Sequence, residues 1–386
     1  MSGAPEAVVV GGGLAGVAAA VAVARAGLRT LHLAPKGPPD RRTSALMGPS
    51  VDYLRSARLI DDPAALGHPL TQIRIIDATD RLIRAPETLF DSKDAGLEAF
   101  GWNFPNIKLL EAFEAARTSL DNLETRELAL ASIERGATGW VLTLADGSVI
   151  EAPLVVGSDG KKSLVRVATD FRAREHGFTQ SALVCDLELG RPLGGASVEF
   201  HYEEGPFTLV PAGGARANLV WIDDREVLKA AQASGQDGLR TIFLAKSQRL
   251  FGDIQLLTPA HMFLLSTLTV ERAGMDGIVL AGEAAHAFPP IGAQGLNLGL
   301  RDVADLAAAL AAADRTAPGW ASAVSTDYAG RRTDDLERTG GMVDALFRSL
   351  LSDFLPAQAL RAGGLWALRL LPPLRKRAFG LGMGRG

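Results

Sequence analysis

The chain is poor in the residues that would tie it to several common chemistries. Its 386 residues include one cysteine, Cys185, so no intramolecular disulfide and no CxxC metal or redox pair can form. That usage fits a reducing compartment. Cys185 lies in the apolar stretch Ser181-Ala-Leu-Val-Cys185 and reads as core packing rather than as a redox nucleophile. No sign of charge dominates: the formal net charge is -4, which gives no pull toward nucleic acid. His, Asp and Glu nowhere cluster at metal-ligand spacing, and there is no GxSxG nucleophile elbow. No internal repeat or long low-complexity linker interrupts the chain. The uncharged run Ala7–Ala24 resembles a signal peptide or a span at first sight. No Lys or Arg precedes it, and Gly11, Gly12, Gly13 and Gly16 would make a poor lipid-facing helix. The expectation is a cytoplasmic protein.

What remains is an ordinary globular composition, 47% hydrophobic and 22% charged, in a chain long enough for two or three domains. Val8-Val-Val10, a glycine-rich turn and an alanine-rich segment read as strand, tight turn and helix. Gly27 ends that helix, and Thr30-Leu-His-Leu33 is a second strand. Together they open a doubly wound α/β sheet. Similar α/β character returns at about 105–165 and 275–315. Residues 171–270 differ, with short alternating strands punctuated by turns such as Glu203-Glu-Gly-Pro206. The reading is a discontinuous Rossmann-like domain of residues 1–69, 100–170 and 271–340. A mostly antiparallel substrate domain, 70–99 and 171–270, is inserted in it, and 341–386 form a C-terminal helical region.

Three stretches carry chemistry. Gly11-Gly-Gly-Leu-Ala-Gly16 is GxGxxG between a strand and a helix. Gly11 permits the turn, Gly13 lets backbone approach a pyrophosphate, and Gly16 lets helix and strand pack closely. The helix start at Leu14 and Ala15 offers N–H groups to phosphate. The acid expected at the end of the second strand is missing: Ala34 stands there, followed by Pro35 and Lys36. Lys36 would suit a ribose phosphate, whereas Asp40 would reach a ribose through a rearranged loop, so this motif alone leaves the dinucleotide unidentified.

Leu154-Val-Val-Gly-Ser-Asp-Gly160 is an apolar strand ending in Asp159 and Gly160, with Lys161, Lys162 and Arg166 beyond it. The third stretch, Gly282-Glu-Ala-Ala-His-Ala-Phe-Pro-Pro-Ile-Gly-Ala-Gln-Gly-Leu-Asn297, follows a further apolar run. Glu283 can accept hydrogen bonds from ribityl hydroxyls, and Pro289-Pro290 sets the turn. Gly292 to Gly295 bring bare backbone against a flat ring. Gly295, Leu296 and Asn297 then start a helix whose N–H groups face a group needing negative charge stabilised. A reduced flavin, anionic at N1/C2=O, is such a group.

In this order the motifs resemble the class A FAD-dependent aromatic monooxygenases of the para-hydroxybenzoate hydroxylase fold, and within them the ubiquinone-biosynthesis hydroxylase family. The nearer resemblance rests on Asp40-Arg-Arg-Thr-Ser-Ala-Leu46, Gly101-Trp-Asn-Phe-Pro-Asn106, Glu204-Gly-Pro-Phe-Thr-Leu-Val-Pro211 with Trp221, and Asn297-Leu-Gly-Leu-Arg-Asp302. It implies FAD as cofactor. Gly11, Gly13, Leu14, Ala15 and Gly16 would hold the pyrophosphate, with Asp159 on the same side. Arg42 and Asn106 would lie near ribityl and phosphate. Gly282 and Glu283 would hold the ribityl chain, and Pro290, Gly292, Gly295, Leu296 and Asn297 would border the isoalloxazine. Glu283 stands where the wider family mostly has Asp, and Gly292-Ala293 inverts the usual order.

The resemblance further implies reduction by NAD(P)H, addition of O2 at flavin C4a, and oxygen delivery to a lipophilic phenol, a polyprenyl intermediate of ubiquinone synthesis. Partners among other ubiquinone-biosynthesis proteins are implied too. A small soluble aromatic as substrate, or a catalytically silent flavin-binding scaffold, are the competing readings; a halogenase is disfavoured by the lack of WxWxIP. The catalytic acid–base residue is not identified: His201 and Tyr202 adjoin on one strand, so alternation turns only one of them toward the ring. His286 is expected to pack. Leu365–Phe379 mixes apolar residues with Arg369, Arg375, Lys376 and Arg377. It reads either as a docked terminal helix or as a basic amphipathic segment meeting a membrane surface or a partner.

Overall fold

The computed structural model describes residues 3–80, 84–290 and 293–351, the stretch 342–351 by backbone alone. Gly292 and the segment Leu365–Phe379 therefore lie outside the described residues.

The four residues Ala7–Val10 are fully buried, as a β-branched run covered on both faces must be. They form the middle of a six-stranded sheet ordered 274–275, 278–280, 154–157, 7–10, 30–33, 123–126. All neighbours are parallel except the antiparallel edge 274–275. Ala26 ends the phosphate-loop helix Leu14–Arg25, and Gly27 turns the chain at φ 90°, which brings Thr30 alongside Ala7. The late helix Gln294–Ala312 packs on Leu14–Arg25. Ile133, Trp140 and Leu142 of a three-stranded antiparallel sheet join the same apolar core. This is the doubly wound α/β fold expected from the opening motif.

A nine-stranded sheet lies beyond it. Its main path runs 286–287, 261–270, 173–189, 216–224, 206–211, 196–201, 72–77, 88–91, with 254–256 pairing 173–189 beside that path. Pairing is antiparallel throughout, save for 196–201 with 72–77. The region is less uniformly short-stranded than its sequence suggests. Ala173–Leu189 is one 17-residue strand whose register shifts between Gly177 and Ser181, and two helices, Arg225–Ala233 and Gly235–Lys246, follow the sheet.

Those helices decide which face is buried. Leu228, Leu239 and Phe243 share a core with Leu183, Phe200, Phe207 and Trp221. By alternation the opposite face carries Ala182, Val184, Thr208, Val210, Asn218, Val220, Glu199, His201, Ile73 and Ile75. A small sheet of 43–47, 101–105 and 68–70 stands against that second face: Asn103 Nδ2 donates to Asn218 Oδ1 at 2.7 Å and to the Pro211 carbonyl at 3.0 Å. The long helix Trp320–Leu351 crosses the edge of the parallel sheet, where Tyr328 donates to the Leu280 carbonyl at 2.8 Å. Among the described residues no helix is long and apolar enough to cross a membrane.

Candidate active site

Gly11 has φ 130°, and a Cβ there would stand 2.1 Å from the Ser158 carbonyl. A Cβ on Gly16 would stand 2.0 Å from the Gly11 carbonyl, so helix and loop touch backbone to backbone. Gly13 differs: a Cβ would meet nothing within 4 Å. It faces open space at the start of a helix with neither a side-chain cap nor an acid in its first turn. Uncapped amides beside an open, side-chain-free position fit a pyrophosphate.

His32 holds this loop from below, a role its place inside an apolar strand gave no hint of. Its Nε2 donates to the Gly11 carbonyl at 2.8 Å. Burial outweighs that hydrogen bond and pushes the imidazole pKa down to about 4, so the ring is neutral at pH 7.

Asp159 is tied into the turn that follows its strand. Its oxygens accept from Ser163 Oγ and from the Leu164 and Val165 N–H groups at 2.7 and 3.2 Å, at the start of the short helix Leu164–Ala168. The acid thus fixes the loop on which Gly11 rests. Arg166 reads in sequence as part of a basic surface flank, yet it is buried. It donates to the Ala284 carbonyl at 2.8 Å and to the Lys161 carbonyl at 2.6 Å, locking the second motif to the third.

In the third motif Gly282 adopts φ 62°, and its N–H donates to Asp302 Oδ2 at 2.8 Å. Next to it, Glu283 is exposed. Arg42 is bound bidentately by Asp40 at 2.8 and 2.9 Å, and that pairing, with a smaller contribution from the charge of Glu283, raises its pKa. Asn106 donates to the same Asp40 at 2.9 Å and accepts from Ser44 Oγ at 2.7 Å. Arg42 and Asn106 are thus gathered on Asp40, which orders both.

Asn297 clamps the small sheet onto the late helix. Its Oδ1 accepts from the Met47 N–H, and its Nδ2 donates to the Ala45 carbonyl, both at 2.9 Å. Gly295 is exposed with nothing within 4 Å of a built Cβ, Leu296 is half-buried and Pro290 is exposed. The helix has no side-chain cap. An open strip of backbone leading into uncapped amides suits a flat ring that carries negative charge when reduced. The inverted Gly292-Ala293 pair leaves a mark: Ala293 takes the left-handed conformation, φ 54°, at a cost of about 1–2 kcal/mol that glycine avoids.

Beneath the motif lies a buried charge network that sequence spacing did not reveal. Asp302 accepts from His286 Nε2 at 2.6 Å and lies 2.7 Å from Arg332 Nε of the long helix. Burial alone would raise the Asp302 pKa, but the His286 and Arg332 charges outweigh it and keep the carboxyl below its ordinary value. Arg332 Nη1 also meets Asp305 at 2.7 Å and Asp335 at 2.8 Å. His286 is buried, its ring stacked on Phe288. Burial pushes the Cys185 thiol up to about 12, in keeping with core packing.

The open face of the nine-stranded sheet completes the site. Asn103 anchors this face to the small sheet, which Asn297 in turn joins to the late helix, so the face roofs the region where that helix begins. Register settles the His201/Tyr202 pair. His201 is on the open face with its Nε2 3.2 Å from Glu199 Oε2, whereas Tyr202 donates to the Lys246 carbonyl at 2.7 Å on the helix-covered side.

The parallel sheet, the side-chain-free phosphate loop and the open start of the late helix fit a bound FAD. Residues 5–327 match a family described as FAD binding domain. Ubiquinone hydroxylase UbiL of Rhodospirillum rubrum is 30% identical over 388 residues, 96% of this chain and 87% of that protein. The 3-demethoxyubiquinol 3-hydroxylase of Escherichia coli is 26% identical over 391 residues, 98% of each. Among solved structures, p-nitrophenol 4-monooxygenase PnpA of Pseudomonas putida has a TM-score of 0.81 over 100% of both chains at 18% identity, a likeness of fold. The chain belongs to the FAD-binding-domain family, among the class A FAD-dependent aromatic hydroxylases.

Proposed function

We propose that the protein hydroxylates the aromatic ring of a polyprenyl-phenol intermediate of ubiquinone biosynthesis, consuming NAD(P)H and O2 and releasing NAD(P)+ and water. The observation that carries this reading is the roof. Its open face presents Ala182, Val184, Val210, Val220, Ile73 and Ile75 around the polar Thr208, Asn218, Glu199 and His201, with Arg216 at the start of the strand that carries Asn218. Such a surface suits a lipophilic phenol better than a small aromatic acid. The names of the relatives from Rhodospirillum rubrum and Escherichia coli support the same assignment.

FAD, when bound, supplies the two-electron chemistry with O2 that puts oxygen on the ring. The chain's own tasks are different. Gly13 and the amides at Leu14 and Ala15 take the pyrophosphate, Arg42 and Glu283 the ribityl side, and the Gly295–Asn297 helix start the ring's negative charge. The aliphatic side chains of the roof keep water from the reacting atoms. A polyprenyl substrate is dissolved in a bilayer, so the encounter belongs at the inner membrane surface, with Leu365–Phe379 as the contacting segment.

The test is NAD(P)H oxidation and product mass for a short-chain polyprenyl phenol against 4-hydroxybenzoate. The reading predicts a product 16 mass units heavier from the prenylated phenol. Turnover of the benzoate alone would reject it.

A further inference from the structure

We propose that Glu127, held by Lys36, binds the adenosine ribose of FAD in place of the acid absent from the end of the second strand. In a doubly wound sheet the dinucleotide lies across the carboxyl ends of the strands, and an acid ending the second strand accepts from the ribose hydroxyls. Here that position is Ala34. It is close to the phosphate loop: a Cβ built on Gly12 would stand 3.3 Å from the Ala34 Cβ. Alanine offers the ribose no acceptor.

The neighbouring strand supplies one. Leu123–Arg126 runs parallel to Thr30–Leu33 with Leu33 opposite Arg126, and the Ala34 N–H donates to the Arg126 carbonyl at 2.9 Å. The first residues beyond the two strands are therefore Ala34 and Glu127, side by side and one strand spacing apart, about 4.8 Å. Glutamate is the longer acid and can span part of that gap. Its carboxylate already leans toward the second strand, where Lys36 Nζ meets it at 2.7 Å.

The other acids at this edge are engaged elsewhere. Asp40 is bound by Arg42 and Asn106, and Glu124 by Arg126 at 2.8 Å. The Lys36–Glu127 pair is exposed, 81% and 57%, and an exposed pair of this kind contributes little by itself. The carboxylate can thus accept from a ribose diol at small cost while the lysine keeps it oriented.

The full-length chain, freed of flavin, is titrated with FAD and with the FAD analogue whose adenosine ribose lacks its 2′-hydroxyl. The wild-type chain is expected to bind FAD about tenfold more tightly than the analogue, the order of one charge-assisted hydrogen bond. In Glu127→Gln, FAD weakens about tenfold, the analogue is little changed, and the gap between them closes. Adding Ala34→Glu to Glu127→Gln restores the gap. Equal affinity of wild type for both ligands, or a full gap surviving in Glu127→Gln, overturns the proposal. Melting of each flavin-free variant confirms that the comparison is made on folded chains.

Discussion

Gly13 and Gly16 lie three residues apart in one motif, yet the structure assigns alanine at the two positions opposite consequences for folding. At Gly13 the backbone is extended, φ -77° and ψ 173°, a conformation any residue adopts, and a Cβ would meet no protein atom within 4 Å. Gly13→Ala should therefore leave the flavin-free chain within about 1 kcal/mol of wild type, the loss of a glycine N-cap partly offset by a stiffer unfolded chain. With the pyrophosphate in this open space, as proposed above, the added methyl should weaken FAD by a hundredfold or more, about 2.7 kcal/mol. At Gly16 the Cβ would stand 2.0 Å from the Gly11 carbonyl, backbone that cannot swing aside as a side chain would. Gly16→Ala should cost the flavin-free fold about 1–3 kcal/mol and lose FAD as a consequence. The assay is a pair of measurements on each variant, urea unfolding without flavin and fluorescence titration with FAD. Wild-type FAD affinity in Gly13→Ala would refute the placement of the pyrophosphate, and an unperturbed Gly16→Ala would refute the backbone contact.

Further outcomes follow from the buried groups. His32 is neutral in the folded chain with its pKa lowered to about 4, whereas the unfolded chain takes up a proton near 6.5. Stability from this group is fully present above pH 6.5 and falls as pH drops toward 4, by about 3 kcal/mol in all; urea midpoints at pH 7 and 4.5 should converge in His32→Gln. Arg332→Met leaves Asp302, Asp305 and Asp335 without their shared cation and should cost about 3–5 kcal/mol in urea unfolding; a loss below 1 kcal/mol would contradict the network. Ala293→Gly relieves a left-handed alanine and should stabilise the flavin-free chain by up to about 1 kcal/mol, read as a higher urea midpoint.

The phosphate loop, the Asp-Gly strand end and the late helix are legible in sequence because each does its work with contiguous backbone. Glycine spacing, a strand before and a helix after are local signals, and they name FAD only in combination. What escaped is work done by single side chains across long separations. Arg166 sits among Lys161 and Lys162 like any solvated flank, and only the approach of Ala284 explains its burial. His32 looks like one more member of an apolar strand, and Arg332 like one half of an Arg-Arg pair on a long helix. Alternation told that His201 and Tyr202 part company, but which of them faces the flavin side depends on where the two covering helices pack. Asp40 was readable as an acid near the nucleotide, and its geometry with Arg42 and Asn106 was not.

We propose that this FAD protein presents a prenylated phenol to the flavin beneath the open face of the nine-stranded sheet. The most direct test of this proposal is turnover of the FAD-loaded chain with NAD(P)H, 18O2 and a short-chain polyprenyl phenol, followed by mass spectrometry of the ring product. The account predicts one 18O atom in a hydroxylated ring and faster NAD(P)H oxidation when the phenol is present. Unlabelled phenol returned intact, with NAD(P)H oxidation indifferent to its presence, would contradict it.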